Sequence, residues 1–389
     1  MYVVGIDISK YKHDCCVIDS DGVIVQGPFS FSNDRDGFND LLEILHSIPA
    51  SEEIRIGFEA TAHYALNLKL FLEEAHYSFM EFNPVLLSKF NKSQTLRRTK
   101  TDAIDCLSIA RWLMTVNYKP HPVGFYHSFS LKSLTRLRDS LVRERSYYLV
   151  KITNILDLTF PEFKPFFNDR FSATALYLLE NYGTAEKISH MNSQSYENLR
   201  KISYGKFSPQ QFIKLKNLAR NTIGEGNDIF TMQLESLLKL YKQSVTEIDT
   251  LESRITELIL QINPKYLSIP GIGPLSAAVI YSEYGDFSKF DSPAQMLSYA
   301  GLEPGYYQSG TSVHKGRMVK RGSSYLRYTL MNLCAPLTRF NYVFAEYYDK
   351  KRAEGKPHRV ACSHVIKKLI RIMFYLEKND VDFDPSLLR

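Results

Sequence analysis

Four acidic residues stand where a carboxylate needs a reason. Asp7 follows the apolar run Tyr2-Val3-Val4-Gly5-Ile6, and Glu59 closes the extended run Ile54-Arg55-Ile56-Gly57-Phe58. Asp102 and Asp105 are three apart at the start of a helical pattern, a spacing that points both the same way from one helix face. If the four converge where neighbouring strands finish, like charges in one pocket require cations. Oxygen-only donors then favour magnesium, with manganese as the alternative. Two such ions would clamp both sides of a phosphodiester during an in-line displacement. Taken singly, Asp102 and Asp105 equally suit a helix N-terminus, and Asp7 a strand end. The cations Arg97, Arg98 and Lys100 directly precede Asp102, which weighs toward phosphate handling.

Two further patterns could meet nucleic acid. Pro270-Gly271-Ile272-Gly273, ahead of the helical pattern Leu275 to Tyr284, has the form of the hairpin in a helix-hairpin-helix. There Gly271 and Gly273 would let backbone N–H groups approach a DNA phosphate, although a structural turn gives the same letters. Gln308-Ser309-Gly310-Thr311-Ser312 precedes the cations Lys315, Arg317, Lys320, Arg321 and Arg327. A serine facing cations is a candidate nucleophile toward phosphorus, because they stabilise the charge that develops in the transition state. Turn former or phosphate binder is the competing role.

These residues need a scaffold. At 389 residues the chain exceeds one ordinary core, which predicts two or three domains. Hydrophobic residues at 44% and charged residues at 23% exclude a disordered or collagen-like chain. There is no apolar run long enough for a membrane span and no secretory leader pattern, and the five cysteines lack CxxC spacing, so a reducing cytoplasm is expected. The net charge of +6 is mild but unevenly placed. Residues 89–151 hold 13 Lys/Arg against four acids, and residues 304–345 hold six with no acid, which predicts a polyanionic partner.

Apolar runs at 2–8, 15–18 and 23–25 around the turn Asp21-Gly22 predict a β-meander. Alternating extended and helical patterns through residue 114 then predict βαβ units, an α/β layer architecture. From Leu131 long helices take over. Leu234, Leu237, Tyr241, Ile248, Leu251, Ile255, Leu258 and Ile262 fill a heptad seam with Ser244 as its polar position, which suits either a coiled coil or an amphipathic helix on a globular core. Residues 166–228 are mixed and aromatic, and the tract beyond Gly305 reads as basic and helical.

Together these motifs resemble a known family. Gly5-Ile6-Asp7-Ile8-Ser9-Lys10, Glu59-Ala60-Thr61-Ala62-His63-Tyr64 and Arg98-Thr99-Lys100-Thr101-Asp102-Ala103-Ile104-Asp105 resemble the N-terminal motifs of the DEDD transposases of bacterial insertion sequences. This is the "one-ten" insertion-sequence family, whose relatives include pilin-gene invertases and bridge-RNA-guided recombinases. Pro270-Gly271-Ile272-Gly273, Glu283-Tyr284-Gly285-Asp286, Tyr299-Ala300-Gly301-Leu302-Glu303-Pro304, Gln308-Ser309-Gly310 and Lys320-Arg321-Gly322-Ser323-Ser324-Tyr325-Leu326-Arg327 look like its C-terminal domain.

The resemblance implies a RuvC-like, ribonuclease-H-type α/β domain over 1–125 and a helical coiled-coil arm over 126–263, with an insertion at about 165–228. A mainly α transposase domain would follow over 264–389. It implies Asp7, Glu59, Asp102 and Asp105 as magnesium ligands and Ser309 as the nucleophile that forms a phosphoserine link to DNA, with Ser312 a second hydroxyl nearby. The implied partners are donor and target DNA, a structured bridge RNA as guide, and further copies of the chain, a homodimer assembling to a tetramer on DNA. The chief alternative keeps the metal site but hydrolyses with water, as a nuclease or junction resolvase. An actin-like ATPase lacks its further glycine-rich phosphate loops here. A non-catalytic DNA-binding protein would leave the acids idle.

Overall fold

A computed structural model describes the chain except residues 61–62, 95–101, 121–124, 310–311 and 389. Of residues 94, 102–103, 125–128, 304, 306–309, 312–317 and 387–388 it describes the backbone alone. The chain divides into two compact units, Met1–His127 and Ser128–Arg389.

The first unit is built on a mixed sheet. Strands β1 (Tyr2–Ile8), β2 (Lys12–Asp19) and β3 (Ile24–Ser32) form the meander, then α1 (Arg35–Ser47), β4 (Ile54–Glu59), α2 (Leu66–Glu74) and β5 (Phe79–Phe82) follow. Two helices, α3 (Pro84–Gln94) and α4 (Asp102–Thr115), complete it. The strand order is β3-β2-β1-β4-β5, with β1 antiparallel to β2 and parallel to β4. Both faces of β1 are covered, which is why it reads as a continuous apolar run instead of alternating. Val4, Ile6, Ile56 and Phe58 join a core with Leu41, Leu45, Leu68 and Leu72 from α1 and α2. On the opposite face Val3, Cys16 and Ile18 pack with Cys106, Ile109, Ala110 and Leu113 of α4. Each Val, Leu, Ile or Phe side chain so buried contributes about 1.5–3 kcal/mol.

Two glycines set how closely α4 approaches. A Cβ on Gly5 would stand 2.3 Å from the carbonyl oxygen of Cys106 and 2.5 Å from the amide nitrogen of Ala110, and one on Gly57 would stand 2.6 Å from Leu113. No bulkier residue fits between strand and helix at Gly5.

The second unit comprises most of α5 (Phe125–Thr159), then α6 (Phe163–Phe166), α7 (Ala173–Asn181), α8 (Ala185–Ser189), α9 (Ser193–Ile202), α10 (Pro209–Arg220) and α11 (Asp228–Ile262). After α12 (Pro274–Tyr284) and α13 (Pro293–Tyr299) come the hairpin β6 (Pro304–Ser309) and β7 (Ser312–Met318). Four helices, α14 (Ser324–Asn332), α15 (Cys334–Phe340), α16 (Tyr342–Ala353) and α17 (His358–Asn379), finish the chain.

Helices α5 and α11 lie antiparallel. Leu131 clusters with Ile255 and Ile259, Arg138 donates to Glu252 at 2.8 Å, and Ile152, Ile155 and Leu156 cluster with Leu234 and Leu238. The heptad stripe of α11 is thus buried at its two ends in two different cores. One core gathers Phe163, Leu178, Leu199 and Leu215 of the middle segment, and the other gathers α12, α14 and α17. Residues 166–228, which showed no clear pattern, fold as α7 to α10 around that first core.

The expectation of a helical tract beyond Gly305 fails at Pro304–Ser309 and Ser312–Met318, which pair as the β6–β7 hairpin. Tyr306, Tyr307 and Val313 favour extended backbone, and apolar residues at helical spacing are absent there.

Among the described residues no helix is long and apolar enough to cross a membrane.

Candidate active site

Strand register builds the acidic site. The β1–β4 pairing runs from Tyr2 with Ile54 to Ile6 with Phe58, so Asp7 and Glu59 are the next pair in line, on strands about 4.8 Å apart. Both stand at the carboxyl ends of neighbouring parallel strands, the usual ligand position of an open α/β sheet. Alternation fixes the face. Val4, Ile6, Ile56 and Phe58 face α1 and α2, so Asp7 and Glu59 face the side that α4 covers.

Helix α4 starts over β1 and β2, where Cys106 packs against Gly5. It ends toward the start of β5, where the Tyr118 hydroxyl donates to the Ser78 carbonyl at 3.1 Å. Asp102 and Asp105 in its first turn therefore belong to the β1 side of the face that Asp7 and Glu59 share. Asp105 is partly buried, and the Asp102 side chain lies outside the described residues. Among the described residues no group of three His, Cys, Asp or Glu side chains could hold a metal by itself. Arg97, Arg98 and Lys100 lie outside the described residues.

One acid escaped the sequence reading. Asp14 pairs directly with Asp7 across β1 and β2, on the same face, and is 7% exposed. Its carboxylate accepts from the Ser30 hydroxyl and pairs with the Lys12 ammonium at 3.2 Å, so its charge is compensated beside Asp7. The signal was available in principle. The short Ser9-Lys10-Tyr11 connection sets Ile8 opposite His13 and hence Asp7 opposite Asp14.

In the second unit, Ser309 ends β6 and pairs with Ser312 across the hairpin, while Lys315 and Arg317 stand on β7. Only the backbone of these residues is described. Lys320 and Arg321 are exposed on the turn from β7 to α14. That turn is clamped by two glycines at positive φ. A Cβ on Gly301 would meet the Arg321 carbonyl oxygen at 2.0 Å, and one on Gly322 would meet that of Tyr299 at 2.0 Å. Arg327 takes part in the clamp, donating to the Ala300 carbonyl at 3.2 Å.

The glycines of the expected DNA-contacting turn differ from each other. Gly271 has φ +105°, and its missing Cβ would lie 2.9 Å from the Leu337 Cα, so internal packing by itself demands glycine there. Gly273 caps α12 with nothing within 4 Å of its Cβ position and leaves the helix N-terminus open. A one-turn 3-10 helix, Lys265–Ser268, precedes this turn.

Comparison with known proteins places the chain. Residues 4–161 match the transposase family of the DEDD, IS110 type, and residues 265–349 match the family described as "Transposase IS116/IS110/IS902 family". The two matches together span more than half of the chain, which belongs to the IS110 family of transposases. It is 24% identical to a protein of insertion element IS110 from Streptomyces coelicolor, over 74% of this chain and 73% of that protein. It is 22% identical to the pilin gene-inverting protein of Moraxella bovis, over 99% of this chain and 98% of that one. A protein of insertion element IS900 from Mycobacterium paratuberculosis is 23% identical, over 98% of this chain and 97% of its own length.

Proposed function

We propose that this transposase cuts and rejoins DNA strands by serine chemistry beside a magnesium site. The observation that carries the reading is the register that sets Asp7 beside Glu59 on the face α4 covers. The donors offered there are oxygens, which fits magnesium, or manganese in its place. Asp7, Glu59, Asp102 and Asp105 would hold the ion, which when bound neutralises charge on the scissile phosphate.

The Ser309 hydroxyl attacks the scissile phosphorus. A serine O–P bond forms as the bond to the displaced strand end breaks, and the serine proton passes through solvent to the departing oxygen. Attack by another strand's hydroxyl reverses these changes and releases the serine, so the phosphodiester energy is conserved and ATP is not needed. Lys320 and Arg321, exposed on the adjoining turn, would neutralise phosphate charge with Lys315 and Arg317 of β7. The similarity to a pilin gene-inverting protein over nearly the whole length favours strand exchange over simple hydrolysis.

The same reading takes the N-terminal sheet as RuvC-like, α5 with α11 as a coiled-coil arm, and the Gly271–Gly273 turn as a helix-hairpin-helix element. Homodimers assemble to a tetramer in which one copy's acids serve another's serine. A structured guide RNA encoded beside the gene selects donor and target DNA by base pairing, while the protein supplies backbone contacts and chemistry. The work is done on DNA in the bacterial cytoplasm, at the nucleoid.

Denaturing quench of a cleavage reaction tests the chemistry. A covalent protein–DNA adduct is expected from the native chain and none from Ser309→Ala. An adduct retained in Ser309→Ala would move the nucleophile to Ser312, and cleavage without any adduct would favour hydrolysis by a metal-dependent nuclease.

A further inference from the structure

A cavity of about 280 Å³ in the second unit carries chemistry that the strand-cutting reading does not use. Three arginines of α5, Arg136, Arg138 and Arg143, line it against one carboxylate, Asp139, and two tyrosines of α14, Tyr325 and Tyr328, form its aromatic wall.

Two of the arginines, Arg136 and Arg138, are held in place by carboxylates. Arg136 donates from Nε and Nη2 to the two oxygens of Glu283, at 2.9 and 3.2 Å, and Glu283 has a side chain only 1% exposed. Burial pushes the Glu283 pKa up. The Arg136 hydrogen bond, the Lys132 charge and the Ser323 hydroxyl outweigh it and hold the carboxyl below its usual range, so this anchor stays charged. Arg138 is tied to Glu252, and Arg143 reaches Asp139 at 2.8 Å while its side chain stays 70% exposed. A guanidinium has five donors, so each arginine keeps N–H groups beyond those its carboxylate takes.

The tyrosines complement them. The Arg136 and Arg143 guanidinium carbons lie 4.9 and 5.6 Å from the Tyr325 ring centroid, which pins that ring between α5 and α14. Tyr328, one turn further along the same helix face, is 65% exposed and has no ring partner among the described residues. A free aromatic face beside guanidinium groups is what an unpaired nucleotide needs, with stacking for the base and charge-assisted hydrogen bonds for the phosphate.

We propose that this cavity binds one unpaired nucleotide of a nucleic-acid strand, its base stacked on Tyr328 and its phosphate held by Arg143 and Arg136. The inference rests on the reading that the chain handles nucleic acid, and it adds a site for strands opened out of a duplex.

The test titrates full-length protein with fluorescent oligothymidylate, oligouridylate and a DNA duplex of equal length. Tyr328→Ala should weaken single-strand binding about tenfold, as loss of one stacked base does, and leave duplex binding unchanged. Tyr328→Phe should restore binding. Arg143→Gln should flatten the salt dependence by about 0.7 in logarithmic slope, the release expected for one single-strand phosphate. A larger loss on thymidylate assigns the site to DNA, and a larger loss on uridylate assigns it to RNA. Single-strand binding unchanged in both Tyr328→Ala and Arg143→Gln, with duplex binding intact, would overturn the cavity assignment alone. Failure of the native chain to bind any of the three probes would overturn the nucleic-acid reading beneath it.

Discussion

Gly5→Ala tests whether the approach of α4 to β1 builds the acidic site. The added Cβ would stand 2.3 Å from the Cys106 carbonyl oxygen and 2.5 Å from the Ala110 amide nitrogen. Ordinary carbon–oxygen contacts are about 3.3–3.6 Å, so helix and strand must separate by about 1 Å. Both obstructing atoms are backbone, and no side-chain rotation relieves them. Overpacking of this kind costs about 1–3 kcal/mol. The stiffer unfolded chain returns about 0.4–1 kcal/mol. A net loss of about 1–2 kcal/mol is expected in urea denaturation. Because α4 carries Asp102 and Asp105, a shift of about 1 Å should also lower strand cleavage about a hundredfold. Gly27→Ala on β3 is the control. Nothing lies within 4 Å of its Cβ position, and its stability should stay within about 0.5 kcal/mol of the native chain. If Gly5→Ala matched Gly27→Ala in both stability and cleavage, the argument from close packing would be refuted.

Other consequences follow from buried groups. Lys69 on α2 has a side chain 5% exposed and pairs with Glu81 of β5 at 2.5 Å. Lys69→Ala strands that carboxylate and should cost about 3–5 kcal/mol in chemical denaturation, whereas Lys69→Ala combined with Glu81→Leu should recover much of the loss. His13 is fully buried against Phe31 and Phe38, with no hydrogen-bond partner for either ring nitrogen among the described residues, and burial lowers its pKa, Asn33 and Asp14 opposing. The folded state therefore keeps His13 neutral while the unfolded chain protonates below about 6.5. Its stabilisation is present above that pH and is lost as pH falls toward the lowered folded value. The melting temperature should drop more steeply between pH 7.5 and 5.5 for the native chain than for His13→Leu. Gly271→Ala should destabilise by about 2 kcal/mol, from strained φ and the Leu337 backbone, while Gly273→Ala leaves the melting temperature unchanged.

The first unit was the more legible in sequence, for a physical reason. Its strands are short, apolar and bounded by turn residues, so Tyr2–Ile8 and Ile54–Glu59 were readable directly, and the acids at their ends stood out against them. What the reading lacked was register, since nothing local says that β1 pairs with both β2 and β4. That omission hid Asp14, whose neighbours His13, Cys15 and Cys16 look like ordinary buried strand. In the second unit the stripe of α11 was legible but its partners were not, because a heptad seam looks alike whether it meets another copy or its own cores. The β6–β7 hairpin is hard to read because Lys315, Gly316 and Arg317 interrupt the extended-favouring residues of β7. Arg136, Glu283 and Tyr325 were invisible as a group. They come from three helices far apart in sequence, and only packing unites them.

We propose that the paired acids at the ends of β1 and β4 form the metal-dependent centre of strand cleavage. The direct measurement is magnesium-dependent cleavage of element-end DNA by Asp7→Asn and Glu59→Gln, with DNA binding followed in parallel. Each substitution should lower cleavage to background while binding stays within about twofold of the native chain, since both acids are only partly buried at the ends of their strands. Native-level cleavage by both variants, or equal cleavage by the native chain with magnesium removed by chelation, would contradict it.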